Sequence, residues 1–230
     1  AVEVLNEAGC ALVGGHTGEG RELALGFAVN GLIDPDDVMS KGGLRAGDVL
    51  LLTKPIGTGT LFAAHAKLAA KGRWIDSALA SMMQSNKDAA QCLRRYGSRA
   101  CTDVTGFGLL GHLVEMTRPS GVDAELDLSA IPILPGAEET AAAGILSSLQ
   151  PANIRLRRGI RDQEKWVNHP RYPLIFDPQT AGGLLASVPA DQADACISEL
   201  KAMGYPHTAI IGRVLPQDES GPIEPITLRD

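Results

Sequence analysis

The sequence predicts an α+β fold: a mixed β-sheet layered with helices, preceded by the last helix and strands of an N-terminal domain that is otherwise missing. Three observations carry this expectation. Short apolar runs suited to strands are interleaved with stretches of helical spacing, without the strict repeat of a parallel α/β sheet. Aromatic residues are only 4% of the chain while Ala, Leu and Gly abound, which favours close helix-on-sheet packing over an all-β sandwich. Apolar residues make up 44% of 230 positions, enough for a sizeable core, and no run reaches the length of a membrane helix.

The chain opens on Ala1–Ala8, which reads as the end of an amphipathic helix already under way, closed by Gly9 in a left-handed cap. Without an initiator Met, it reads as a piece of something longer. Strands are expected at Cys10–Val13 and Leu23–Leu32, on either side of the glycine-rich loop Gly14–Gly20. That loop has the freedom to wrap a phosphate or ribose, with His16 and Thr17 as hydrogen-bonding groups, or to serve as a plain connection. It lacks the Gly-Lys-Ser/Thr of a Walker loop and the Gly-x-Gly-x-x-Gly spacing. The turn at Ile33–Asp37 marks a boundary. Residues 1–33 read as the remnant of one domain, 34–215 as a second domain and 216–230 as a tail with little core.

In the second domain a buried strand, Val49–Thr53, leads through the turn Lys54–Gly59 into a helix, Leu61–Lys71, that ends at Gly72. The start of that helix is open to anion binding or to a plain strand–turn–helix reading. A longer helix is expected from Ile75 to Tyr96, with Met82 and Met83 filling core and Asn86 and Lys87 on a polar face. Alternation marks Val122–Leu128 as a half-buried strand, and Gly136–Leu146 reads as a helix. Gln150–Pro173 is irregular and rich in Arg and Pro. Leu174–Phe176 reads as a strand that ends at the Asp177–Gly183 turn, and Leu184–Val188 continues as a strand. Helix Ala190–Met203 and strand Thr208–Leu215 follow.

The stretch Arg99–Leu113 is the strongest site candidate. Ala100, Cys101 and Val104 read as a short buried strand, and from Phe107 the apolar positions follow helical spacing. Asp103 therefore sits where a strand ends and a turn leads into a helix. Thr105 can cap that helix, Gly106 and Gly108 let a ligand approach, and the first free N–H groups can meet an oxyanion. A carboxylate beside an oxyanion site calls for a divalent cation, and hard oxygen ligands suit magnesium. The plainer alternative makes Asp103 a turn residue and the glycines packing devices.

Other chemistry is disfavoured. A net charge of −6 argues against a nucleic-acid partner, and the one basic cluster (Arg155, Arg157, Arg158, Arg161) reads as a solvated or anion-touching face. Cys10, Cys92, Cys101 and Cys196 form no Cys-x-x-Cys pair, and the histidines are isolated, so neither a disulfide framework nor zinc is expected. The expected setting is cytoplasmic, away from membranes.

Five motifs occur in one order: Gly14-Gly15-His16-Thr17, Thr53-Lys54-Pro55-Ile56-Gly57-Thr58-Gly59, Ser85-Asn86-Lys87, Asp103-Val104-Thr105-Gly106-Phe107-Gly108-Leu109-Leu110-Gly111-His112, and Phe176-Asp177-Pro178-Gln179-Thr180-Ala181-Gly182-Gly183. Together they resemble selenophosphate synthetase (selenide, water dikinase), of the ATP-binding superfamily that includes aminoimidazole ribonucleotide synthetase. The resemblance runs from Gly14 to Leu215. It implies a homodimeric enzyme that converts ATP, selenide and water into selenophosphate, AMP and phosphate. Asp103 then binds Mg2+ at the ATP phosphates, and Gly14, Gly15, His16 and Thr17 contact nucleotide. The family's nucleophile, Cys or selenocysteine, and its Lys are not in this chain; neither Cys10 nor Lys54 matches them. The chain alone is thus expected to be inactive, with no catalytic residue of its own and with room for fusion to an upstream domain. Ala181 stands where Ser is more usual, and Gln150–Arg158 matches loosely. Competing expectations are a thiamine-phosphate kinase or hydrogenase-maturation enzyme, and a non-catalytic dimerisation or scaffold module.

Overall fold

Leu50, Leu51 and Leu52 are all completely buried, yet they face two different cores. Successive side chains of a strand point to opposite faces, so a strand buried on both sides needs cover on both. The computed structural model describes residues 2–219 and 224–230 and divides into two compact units, one ending at Val38 and one running from Met39 to Asp230.

The first unit holds helix α1 (Val2–Glu7) and a turn of 3-10 helix at Pro35–Asp37, started by Asp34, whose carboxylate accepts the Asp36 N–H at 3.0 Å. The helix is where it was expected, apart from Ala1, which lies outside the described residues. The strands expected at Cys10–Val13 and Leu23–Leu32 do not form: both stretches are irregular, and Val13 and Leu23 are 94% and 99% exposed. A strand is stabilised by a paired ladder and a covered face, and within the described residues of this unit these stretches have no paired ladder.

The second unit runs β1 (Val49–Leu52), α2 (Thr58–Ala66), α3 (Gly72–Met83), α4 (Lys87–Arg95), β2 (Cys101–Asp103), α5 (Gly108–Ser120), β3 (Val122–Asp127), α6 (Ala137–Ala142), α7 (Gln150–Asn153), β4 (Leu184–Val188), α8 (Ala193–Ala202), β5 (Ala209–Pro216) and β6 (Ile226–Arg229). The strands form one sheet in the order β2-β4-β1-β5-β3-β6, antiparallel except for the β3–β6 pair. The mixed sheet and α+β class are those expected. Leu50, Leu52 and Leu185 share a core with α2, α3 and α5 through Leu61, Ile75, Leu109 and Leu113. Leu51, Ala186 and Val188 share the other with α4 and α8 through Cys92, Leu93, Cys196 and Leu200.

Several expectations need correction. The single helix from Ile75 to Tyr96 is two helices broken between Met83 and Lys87, and Met83 is 77% exposed rather than core filler. The break is held from below: the buried Lys54 ammonium donates to the carbonyls of Ser81 (3.2 Å) and Gln84 (2.7 Å). The helix expected at Leu61–Lys71 begins at Thr58 and ends at Ala66; Leu68 then takes a left-handed φ of 57°, which no helix can continue. The Leu174–Phe176 run is part of a 3-10 helix, Tyr172–Phe176, because a short buried apolar run has no period that distinguishes helix from strand. Finally, the end of the chain does carry core. Ile226 and Leu228 are buried in β6 beside β3, whereas residues 220–223 of the expected tail lie outside the described residues.

Candidate functional site

Asp103 closes β2. Its backbone pairs with Leu184, and the next amide, Val104 N–H, donates to Gly183 O at 2.8 Å, so the sheet fixes the carboxylate at its own edge. The side chain is exposed and has no hydrogen-bond or ion-pair partner among the described residues. The turn that follows is tied from within: Thr105 O accepts the N–H groups of Gly108 and Gln179, both at 3.0 Å, and Gly106 O accepts Asn153 Nδ2 at 2.7 Å. The two glycines do different work. Gly108 has a φ of 70°, and a Cβ there would lie 2.8 Å from the Phe176 carbonyl carbon, so it serves packing. A Cβ at Gly106 would meet nothing within 4 Å, and Phe107 beside it is half exposed, so this part of the turn is open.

Thr105 is not the helix cap expected of it. The cap position of α5 is Phe107, without a side-chain bond, and Thr105 is instead held by His112 one turn into the helix. The imidazole Nε2 accepts the Thr105 N–H at 3.0 Å and lies 3.2 Å from Thr105 Oγ1. That acceptor role leaves the proton on Nδ1, which faces Glu115 Oε2 at 3.2 Å, and Lys41 Nζ completes the line 2.7 Å from the same oxygen. Burial pushes the His112 pKa below its ordinary value, although Glu115 pulls the other way, so the ring is neutral and suited to accept an amide. Burial raises the Glu115 carboxyl, but the bond and charge of Lys41, then His112, outweigh it and leave the group below its usual range. The i,i+3 spacing of His112 and Glu115 was a usable signal in the sequence; Lys41, 74 residues from Glu115, was not.

The second Asp-Thr-Gly turn, Asp177–Gly183, packs against the first and is closed. Gln179 Oε1 accepts the N–H groups of Gly57 (2.9 Å) and Thr58 (3.1 Å), so a side chain already occupies the start of α2, where an anion was one option. Gln179 Nε2 donates to the Asp177 carboxylate at 2.9 Å, and Thr60 Oγ1 donates to it at 2.8 Å. Asp177 is completely buried, and burial lifts its pKa to about 6 despite those bonds. Lys54, only 2% exposed, donates to Ala181 O at 3.1 Å, and Asn86 Nδ2 to Gly182 O at 2.9 Å. Burial lowers the Lys54 pKa to about 8. Asn86, read from the sequence as part of a polar helix face, and Lys54, read as part of a separate turn, thus clamp Ala181 and Gly182, next to the Gly183 carbonyl that the Val104 amide meets beside Asp103.

Gly14, Gly15, His16 and Thr17 lie in the exposed irregular stretch of the first unit. Gly14 and Gly15 border a hollow of about 830 Å³ walled by apolar side chains such as Leu5, Leu12, Phe27 and Val29, with no charged residue among its walls. Any anion there would meet backbone, not cationic side chains. Cys92 and Cys196 are buried, and burial pushes Cys101 and Cys196 up to about 12, which makes them inert core thiols. Among the described residues no three His, Cys, Asp or Glu side chains gather as a metal cage, and no helix is long and apolar enough to cross a membrane. One open carboxylate fits a magnesium ion that arrives on phosphates and keeps its waters; it does not fit a metal held by protein alone.

Residues 45–223 match the model of the family described as AIR synthase related protein, C-terminal domain. A selenide, water dikinase 2 of Peptoclostridium acidaminophilum is 39% identical over 216 residues, which cover 93% of this chain and 61% of that protein. The crystal structure of hydrogenase maturation protein HypE in complex with ATP matches with a TM-score of 0.62 at 18% identity, over 85% of this chain and 51% of that one. Thiamine-monophosphate kinase from Stenotrophomonas maltophilia K279a matches with a TM-score of 0.59 at 16% identity, over 85% and 54%. At such identities these two structures speak to fold alone. The chain spans about 60% of the length of the curated relatives it matches.

Proposed function

The chain belongs to the family of AIR-synthase-related C-terminal domains, and from that premise we propose that it is the C-terminal part of a selenide, water dikinase. Joined to an N-terminal portion like that of its relatives, it makes selenophosphate from ATP, selenide and water, with AMP and phosphate as the other products. The observation that carries this reading is the 39% identity to a selenide, water dikinase across 93% of the chain. The HypE and thiamine-monophosphate kinase matches share the architecture at less than half that identity, so they do not favour the alternatives.

In this reading residues 1–33 close the N-terminal domain, 34–215 form the C-terminal domain and 216–230 follow as its tail. Asp103 takes the magnesium ion that accompanies the nucleotide phosphates; when bound, that ion neutralises charge on the transferring phosphoryl group. The task of this chain is to hold the carboxylate still. The β2–β4 ladder fixes its backbone, Ala181 and Gly182 are clamped behind it by Lys54 and Asn86, and His112 holds the Thr105 amide in front. Such preorganisation means that no reorientation is needed as charge develops. Gly14, Gly15, His16 and Thr17 contact nucleotide, the working unit is a cytoplasmic homodimer, and the nucleophile and its Lys come from the N-terminal portion. By itself the chain makes no AMP.

The test is phosphorus NMR of the protein encoded by the whole source reading frame, supplied with ATP, Mg2+ and selenide. AMP and a phosphorus–selenium species should appear together. ATP turnover that ignores selenide but responds to thiamine phosphate would move the chain to another branch of the superfamily. Untouched ATP would leave a scaffold.

A further inference from the structure

The basic cluster after Asn153 is unused by the site as described, and its geometry is specific. Residues Ile154–Gly159 form a 3-10 helix, in which side chains three apart eclipse one another. Asn153, Leu156 and Gly159 therefore share one line, and each docks inward. Asn153 is buried and donates to Gly106 O (2.7 Å) and Phe176 O (3.1 Å). Leu156 covers Gly111, where a Cβ would lie 2.8 Å from its Cδ1, and Gly159 lies against Val114. Arg155 and Arg158 share a different line, and both are exposed. At a rise of about 2 Å per residue their Cα atoms stand about 6 Å apart on the same side. Arg157 falls on the third line, where its charge acts on Tyr172.

Two eclipsed guanidinium groups repel unless something negative lies between them. Arg161, Arg171, Arg213 and Arg229 are each ion-paired with Asp123, Glu138, Glu125 or Asp127. Arg155 and Arg158 have no such carboxylate among the described residues, in a chain whose net charge is −6. The ridge is also fixed in place: the Asn153 bond ties it to Gly106, three residues after Asp103, where the turn has no side chain and open space around it. We infer that Arg155 and Arg158 form a ridge that grips the polyphosphate of the nucleotide on the far side of the Gly106 turn from the Asp103 carboxylate. Two guanidinium forks from one side and a metal-carrying carboxylate from the other are complementary to a chain of phosphoryl groups. The inference rests on the reading of Asp103 as the phosphate-side metal ligand, but the ridge is testable without metal.

The experiment is calorimetric titration of the 230-residue chain with inorganic tripolyphosphate in metal-free buffer, repeated for the R155A/R158A double variant and for R45A, an exposed arginine elsewhere. Both substitutions lie on the surface, and circular dichroism should be unchanged. The double variant is expected to bind about a hundredfold more weakly, from two charge-assisted contacts worth about tenfold each, while R45A binds like the parent. The parent's affinity should fall as salt rises. Equal affinity in the double variant, or no binding by the parent, overturns the ridge whatever the turnover of the longer protein shows. Arginine-dependent binding combined with no selenide-driven AMP formation would keep the ridge and remove the dikinase reading.

Discussion

Two turns with nearly the same composition lie side by side at the β2–β4 edge, and they have opposite characters. Asp177 is completely buried, its oxygens are taken by Thr60 and Gln179, and Ala181 and Gly182 of the same turn are pinned by Lys54 and Asn86. Asp103 is exposed, its oxygens are unclaimed among the described residues, and the glycine three positions on faces open space. What separates a framework carboxylate from a site carboxylate is whether the fold itself consumes its hydrogen-bonding capacity. One turn is satisfied internally and holds the other, which is left unsatisfied and outward.

This contrast can be broken at either turn. The largest loss of stability is expected from Gln179→Ala, which strips the acceptor from the Gly57 and Thr58 amides and the donor from Asp177: about 4 kcal/mol in urea unfolding, from roughly 2 kcal/mol for each buried amide left unpaired. A cost under about 1 kcal/mol would mean that water readily replaces Gln179 and that the turn is not closed.

Asp177 should show its burial through pH. Between its ordinary value of 3.8 and about 6 the folded chain keeps a proton that the unfolded chain releases. Its contribution to stability is therefore complete below the ordinary value and is lost as pH rises through about 6. The stability advantage of the parent over D177N should shrink by about 3 kcal/mol across that window, since each pKa unit is worth about 1.4 kcal/mol. An advantage independent of pH would show that Asp177 keeps its ordinary pKa in the fold.

A smaller effect is expected from His112→Phe, which leaves the Thr105 N–H without its acceptor but keeps an aromatic ring in the pocket: about 1 to 2 kcal/mol, read by thermal or urea unfolding. Glu115→Gln should cost less, since a neutral amide can still accept from Nδ1. If it costs more than H112F, the charge of Glu115 rather than the ring holds the turn. Smallest of all, Asp103→Asn should leave stability within about 0.5 kcal/mol of the parent, as expected for a surface group the fold does not use.

Much of the framework was legible because periodicity reports burial. Strand β3 alternates, β1, β4 and β5 are short apolar runs bounded by turn residues, and α5 has helical apolar spacing; the strand end at Asp103 followed from such patterns. Long-range hydrogen bonds were not legible. The apolar pattern runs on past Met83, so nothing local showed that Lys54, 27 residues from Ser81, would capture carbonyls there and end the helix. Likewise Gln179 and Thr58 are 121 residues apart, and the closure of α2 depends on their meeting. The expected strands before Asp34 failed for the same reason in reverse, since alternation supplies a face but not a partner. At the site, Asp103 is legible from its position after a strand. His112 is not, because a histidine in an apolar helix carries no visible purpose until its acceptor nitrogen meets the Thr105 amide.

The most direct test of the account uses the protein from the whole source reading frame, as parent and as D103N, in the same phosphorus NMR assay with ATP, Mg2+ and selenide. The variant should unfold in urea like the parent yet form neither AMP nor a phosphorus–selenium species. Selenophosphate formed by D103N at the parent's rate would contradict it, for the open turn would then be no more a site than the closed one.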